Sequence, residues 1–128
     1  MSPDLRLLTC SVALAFAQML VAAIAASLQV GLLPLIGNRE NMPTLTGWAG
    51  RAQRAHRNML ENLVLFAALV LAASASGKAN GATLLGAEIF LWARLAYAVI
   101  YLAGVPWLRT AAWGVSVVGL IMIFLQLV

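Results

Sequence analysis

The sequence predicts an all-α integral membrane protein, an antiparallel up-and-down bundle of four transmembrane helices, and three observations predict it. Of its 128 residues, 63% are hydrophobic and 9% charged, where a soluble domain carries roughly 25% charged residues. The apolar residues gather into four long runs, separated by short segments that hold Pro, Gly, Asn and most of the charges. Four spans of about 20 residues with short connections use the whole length as one domain. A soluble chain this small could not hide so much apolar surface, because too much of a small domain is surface.

The first span is expected over about Leu5 to Leu33. Beyond Arg6 its polar side chains are Thr9, Ser11, Gln18, Ser27 and Gln29. Its apolar run is longer than a signal-peptide core and reads as a span. Pro34, Gly37 and Asn38 end it, and Arg39, Glu40, Pro43 and Gly47 mark a loop. The second span is expected over 50–76, beginning between Trp48 and Arg51, and the polar run from Gly77 to Gly81 turns the chain. The third covers 83–102 and is closed by Gly104 and Pro106; the fourth covers 108–128. The single cysteine, Cys10, excludes an intramolecular disulfide and any multi-cysteine metal site. It is expected to be a small packing residue.

Eight basic and four acidic residues leave a net charge of +4. No basic stretch occupies a surface large enough to track nucleic acid, and the excess reads as the positive-inside bias of membrane proteins. The connections on one side hold Arg39, Arg51, Arg54, Arg57 and Arg109; the other side has Arg6 and Lys78. Both termini are therefore expected to face away from the cytoplasm. Trp48 and Trp107 fall where interfacial aromatic anchors belong.

Length forces the main inference. The purely apolar part of the second span, Leu63 to Ala75, covers only about 20 Å, whereas a hydrocarbon core is about 30 Å thick. Spanning it draws the slab back to His56, which puts Arg57, Asn58 and Glu61 at membrane depth. A charge there costs on the order of 2.5–3.5 kcal/mol even on a lenient scale, so these groups are expected to face inward and be paired. Arg51, Arg54, Arg57, Asn58 and Glu61 fall within an arc of about 120°, with His56 on the opposite side. That makes His56 a contact for a neighbouring helix. On the third span, Arg94, Tyr97 and Tyr101 lie within about 60° of one another. Glu88 is expected in that helix's first turn, complementing its dipole.

An antiparallel bundle brings the start of the second span, the end of the third and the start of the fourth to one membrane side. Arg57, Asn58, Glu61, Arg94, Tyr97, Tyr101 and Arg109 could then converge. Such a patch suits a small anionic ligand, since guanidinium forks grip carboxylates bidentately. Glu61 could hold an ammonium or pair with Arg94. The rival is a structural ion-pair network, but five basic groups against one carboxylate are far from balance.

The run Arg54-Ala55-His56-Arg57-Asn58-Met59-Leu60-Glu61 resembles the R-A-H-x-N-x-x-E signature of the MAPEG superfamily, which includes microsomal glutathione transferases, prostaglandin E synthase and many bacterial relatives. A second element agrees: Arg94, Tyr97 and Tyr101-Leu102, followed by Arg109-Thr110, are similar to the family's R-x-x-[HY]-x-x-x-Y-L and R-[ST]. The resemblance covers nearly the whole chain. It implies a homotrimer in a bacterial inner membrane that binds glutathione as co-substrate between subunits. Carried over, Arg54, Arg57, Asn58, Glu61, Arg94 and Tyr97 would contact glutathione. Tyr101 would touch the ligand, Arg109 would stand beside the sulfur, Thr110 would follow as a small hydroxyl residue, and Trp113 would shield the site. Where some members carry an arginine after a Gln-Val pair, Gln29-Val30 is followed here by Gly31, so one cation is missing.

The implied activity is a membrane-bound glutathione transferase or peroxidase. In it Arg109 and Tyr101 activate the thiolate against a lipophilic electrophile or hydroperoxide. Two rival classes are a non-catalytic binding or scaffolding member of the same fold and a small four-helix transporter. The transporter would need a proton-exchanging carboxylate within a span; the first span has none, and Glu61 lies among arginines.

Overall fold

The computed structural model describes residues 1–40 and 42–128. Its long helices are α1 (Pro3–Val30), α3 (Gly47–Ala75), α4 (Gly81–Ala103) and α5 (Pro106–Leu127), and a single turn, α2 (Leu33–Ile36), follows α1. All four long helices have the length and apolarity to cross a membrane, and no strand occurs among the described residues. The bundle is the all-helical one expected. The bounds shift for local reasons. Ser2 caps α1 through the Leu5 amide and Pro3 sits at its first position, where no amide hydrogen is needed. Gly31, at φ 83°, ends α1 three residues before the expected Leu33.

Side chains join the helices at both membrane faces. On the face that holds the N-termini of α3 and α5, the Gln29 amide clamps the start of α3. Gln29 Nε2 donates to the Thr46 carbonyl at 3.0 Å, and the Thr46 amide donates to Gln29 Oε1 at 2.8 Å. Arg51 closes the end of α4: its Nε donates to the Leu102 carbonyl at 3.1 Å, and its side chain passes over Gly104, which takes a left-handed conformation. A cation at a helix C-terminus also complements the dipole, so Arg51 leaves the polar cluster for a structural post. On the opposite face, Asn80 and Thr83 form a capping box. The Thr83 hydroxyl donates to the buried Asp4 carboxylate at 2.8 Å, and Lys78 donates to the Leu127 carbonyl at 3.1 Å.

Between these faces the core is apolar. Phe66 of α3 stacks on Phe90 of α4 with centroids 4.0 Å apart, and Met59, Val70, Leu120 and Ile123 pack around them. Helices α4 and α5 make the most extensive contact, made possible by glycines that let two backbones approach. A Cβ built on Gly86 would lie 2.7 Å from the Gly119 carbonyl oxygen, and one on Gly119 would lie 2.5 Å from that of Gly86.

Two expectations fail here. Cys10 does not pack inside the bundle but lies exposed on α1. Glu88 is not in the first turn of its helix: α4 starts at Gly81, so Glu88 is an exposed residue about two turns in. Counted from Thr83 it would already be the sixth residue, past one turn of about 3.6 residues, and the capping box of Asn80 starts the helix two residues earlier still.

The glycine contact is testable. Gly86→Val should cost about 1–3 kcal/mol or more through overpacking, read as a lower midpoint of detergent-driven unfolding. Gly114→Ala, where an added Cβ meets nothing within 4 Å, should leave the midpoint unchanged or raise it.

Candidate functional site

The site begins with the two tyrosines of α4. Tyr97 and Tyr101, one turn apart, are both buried, with ring centroids 5.5 Å apart and planes tilted by 58°. Each ring carries an arginine. The Arg94 guanidinium carbon lies 4.1 Å from the Tyr97 centroid, and that of Arg109 lies 4.4 Å from the Tyr101 centroid. Both are within cation–π range, an attraction that strengthens where water is excluded. Arg54 of α3 reaches the same pair, its Nε donating to Tyr101 Oη at 3.1 Å.

These contacts fix the chemistry of Tyr101. Its oxygen accepts from a cation, so its own proton is free to donate. Thr110 is spent differently: its hydroxyl donates to the Pro106 carbonyl at 3.1 Å within the first turns of α5. Tyr101, unlike Thr110, therefore keeps its hydroxyl proton for a ligand.

A cleft of about 250 Å³ opens beside the pair, lined by Asn58, Tyr97, Tyr101, Arg109, Thr110 and Trp113. Three helices supply it, as the antiparallel topology requires, and six of the ten candidate residues border it. Arg54 and Arg94 touch its walls through the tyrosines. Arg57 and Glu61 do not line it.

The expectation that the α3 charges face inward fails. Arg54, Arg57 and Glu61 are exposed on the outer side of α3. The buried side of α3 is taken by Ala49, Ala52, Ala55, Met59, Phe66 and Val70, whose small and apolar side chains allow close packing on α1 and α4. The charged stripe lies opposite: Arg54 reaches back from it to Tyr101, while Arg57 and Glu61 are left on the outer face. His56 faces α1 as expected, half-buried in a cavity with Met19, Ala23 and Gln53. Its Nδ1 has no hydrogen-bond partner among the described residues.

Arg94 is the most demanding group. It is 1% exposed, and none of its three guanidinium nitrogens has a hydrogen-bond partner among the described residues. The pairing with Glu61 is not formed. Only the Tyr97 face compensates its charge, and a buried donor without a partner is costly. Arg94→Met should therefore raise the unfolding midpoint, by on the order of 1–3 kcal/mol, while weakening retention of an anionic ligand. An unchanged or lower midpoint would show that Arg94 already has its partner.

Of the structural posts described above, the helical-wheel arithmetic groups Arg51 with the polar arc and gives Gln29 no role, because both act on backbone atoms of another segment. No curated protein and no solved structure gives a significant match. A family model, the MAPEG family, matches residues 7–128. With nearly the whole chain matched and the four-helix membrane bundle in place, this protein belongs to the MAPEG family.

Proposed function

We propose that the protein is a membrane-bound glutathione-dependent transferase or peroxidase that works on lipophilic partners. The observation carrying this reading is the surplus of guanidinium groups gathered at one end of the bundle: Arg54, Arg57, Arg94 and Arg109 against the single carboxylate of Glu61. Glutathione, with two carboxylates and one ammonium, suits that imbalance. The arginines can each grip a carboxylate, and Glu61 can take the ammonium.

Arg109 holds negative charge at the sulfur position, and Tyr101 donates its free proton there. A cysteine thiol ordinarily ionises near pH 8.5. Lowering that by two units takes about 2.7 kcal/mol, within reach of one guanidinium in a poorly solvated cleft. When bound, glutathione would supply the nucleophilic thiol that attacks an electrophile or reduces a hydroperoxide arriving through the bilayer. Trp113, 42% exposed at the rim, can screen the cleft from water.

The site in one chain is small and open. Ligand pockets commonly run about 300–1,000 Å³, above the 250 Å³ here. The exposed stripe of Arg54, Arg57 and Glu61 cannot rest against lipid without a large penalty. A second copy covering it would both enlarge the cleft and bring those groups to the ligand, in keeping with a homotrimer. The Arg-bearing ends of α3 and α5 then face the cytoplasm by the positive-inside rule, across a cell membrane.

The test is a thiolate-absorbance titration of the purified protein with glutathione. The wild type should ionise bound thiol about two pH units below the Arg109→Ala variant, and that variant should lose turnover of electrophiles and hydroperoxides while still folding. Identical titration midpoints would end the Arg109 assignment. Saturable binding with no turnover of any electrophile or peroxide would favour a presenting or scaffolding protein.

A further inference from the structure

One buried amide stands beside the cleft, and the glutathione reading gives it no task. Asn62 of α3 is 8% exposed and lies one helical turn beyond Asn58, which lines the cleft. Side chains on a helix lean toward its N-terminus, so Asn62 reaches back along α3. Its Nδ2 donates to the Asn58 carbonyl at 2.9 Å and to Asn58 Oδ1 at 3.2 Å.

These two bonds fix which way both amides point. A backbone carbonyl only accepts, so the group facing it must be the Asn62 nitrogen and not the Asn62 oxygen. That nitrogen carries a second hydrogen, which meets the side-chain oxygen of Asn58. Were the Asn58 amide turned over, two NH2 groups would face each other with no acceptor between them. Orientation therefore passes from the main chain to Asn62, and from Asn62 to Asn58. The Asn58 oxygen is occupied, and its nitrogen, with two hydrogens, is the end left for a ligand.

We infer that Asn62 is a positioning residue: it turns the Asn58 amide so that donors face the cleft, and so selects a carbonyl or carboxylate oxygen at that place in the ligand. The identity of that ligand rests on the glutathione reading; the orientation of Asn58 rests on α3 alone. A freely turning asparagine would offer either end, whereas a held one rejects a group that can only donate, such as an ammonium. Asn62 could instead serve packing alone, since polar side chains in helices often bond the carbonyl four residues back. Serine at 62 separates the two roles, because its single proton can satisfy the carbonyl but cannot also hold Asn58 Oδ1.

The experiment uses the full-length protein in lipid nanodiscs with reduced glutathione as the probe. Dissociation constants are measured by calorimetry for the wild type, Asn62→Ser, Asn58→Ala and the double variant. Asn62→Ser should weaken binding roughly three- to tenfold, the contribution of one neutral hydrogen bond, and raise KM by the same factor with kcat held. In the Asn58→Ala background it should change nothing further, because its effect passes through Asn58. An equal loss in both backgrounds would make Asn62 a packing residue and overturn the proposal, as would undiminished affinity in Asn62→Ser. The orientation is also read without ligand, from the side-chain amide resonances of protein carrying nitrogen-15-labelled asparagine. The Asn62 signal, identified by its absence in Asn62→Ser, should exchange slowly with water and shift in Asn58→Ala. Fast exchange with no shift would overturn the proposal. If the wild type binds no glutathione while that signal behaves as expected, the glutathione reading fails and the orientation of Asn58 stands.

Discussion

A guanidinium below the lipid surface must be balanced by something, and that constraint organises the protein. Water cannot reach it, lipid tails offer no partner, and the chain supplies too few carboxylates. Each arginine resolves the problem differently. Arg51 satisfies the end of another helix. Arg54 donates to a phenol, and Arg94 and Arg109 lean on aromatic faces. Arg57 is left on an outer face of the bundle. Aromatic faces supply only part of what a carboxylate would, so the cluster keeps a residual demand for negative charge.

The tyrosine pair turns that demand into a site. Tyr97 and Tyr101 stand where α3, α4 and α5 meet, and their rings act as platforms that hold cations at fixed positions without neutralising them. A carboxylate in the same place would hold the arginines just as firmly and leave nothing for a ligand. The phenol also adds a donor, because Arg54 occupies only the acceptor side of Tyr101. Rigidity comes from below: Phe66 on Phe90 and the glycine contact between α4 and α5 lock the helices that carry these side chains.

The rest of the polar inventory ties helix ends together, which explains how so apolar a bundle keeps one arrangement. Gln29 with Thr46, Arg51 with Leu102, Asp4 with Thr83 and Lys78 with Leu127 each join segments distant in sequence. Apolar packing between helices is weakly directional in lipid, and these polar pins supply the missing specificity. Gln18 stands apart from the pattern, as a mid-span amide whose oxygen meets no partner among the described residues.

Composition and span length alone determined the membrane bundle and the grouping of Arg94, Tyr97 and Tyr101, because hydrophobic thickness and helical angle are one-dimensional properties of a chain. They also brought Asn58, Tyr97, Tyr101, Arg109, Thr110 and Trp113 to one membrane side, where the structure gathers them around one cleft. Helical angles are relative, however. They grouped the α3 charges correctly on one arc yet could not tell whether that arc faces the bundle. Tertiary packing decided it, since the alanine-rich side of α3 approaches α1 and α4 more closely and turned Arg54, Arg57 and Glu61 outward. The start of α4 moved from Thr83 to Gly81 because the cap belongs to Asn80. Arg51 and Gln29 found backbone partners, and an apolar cavity opened among α1, α3 and α4, only once distant segments were side by side.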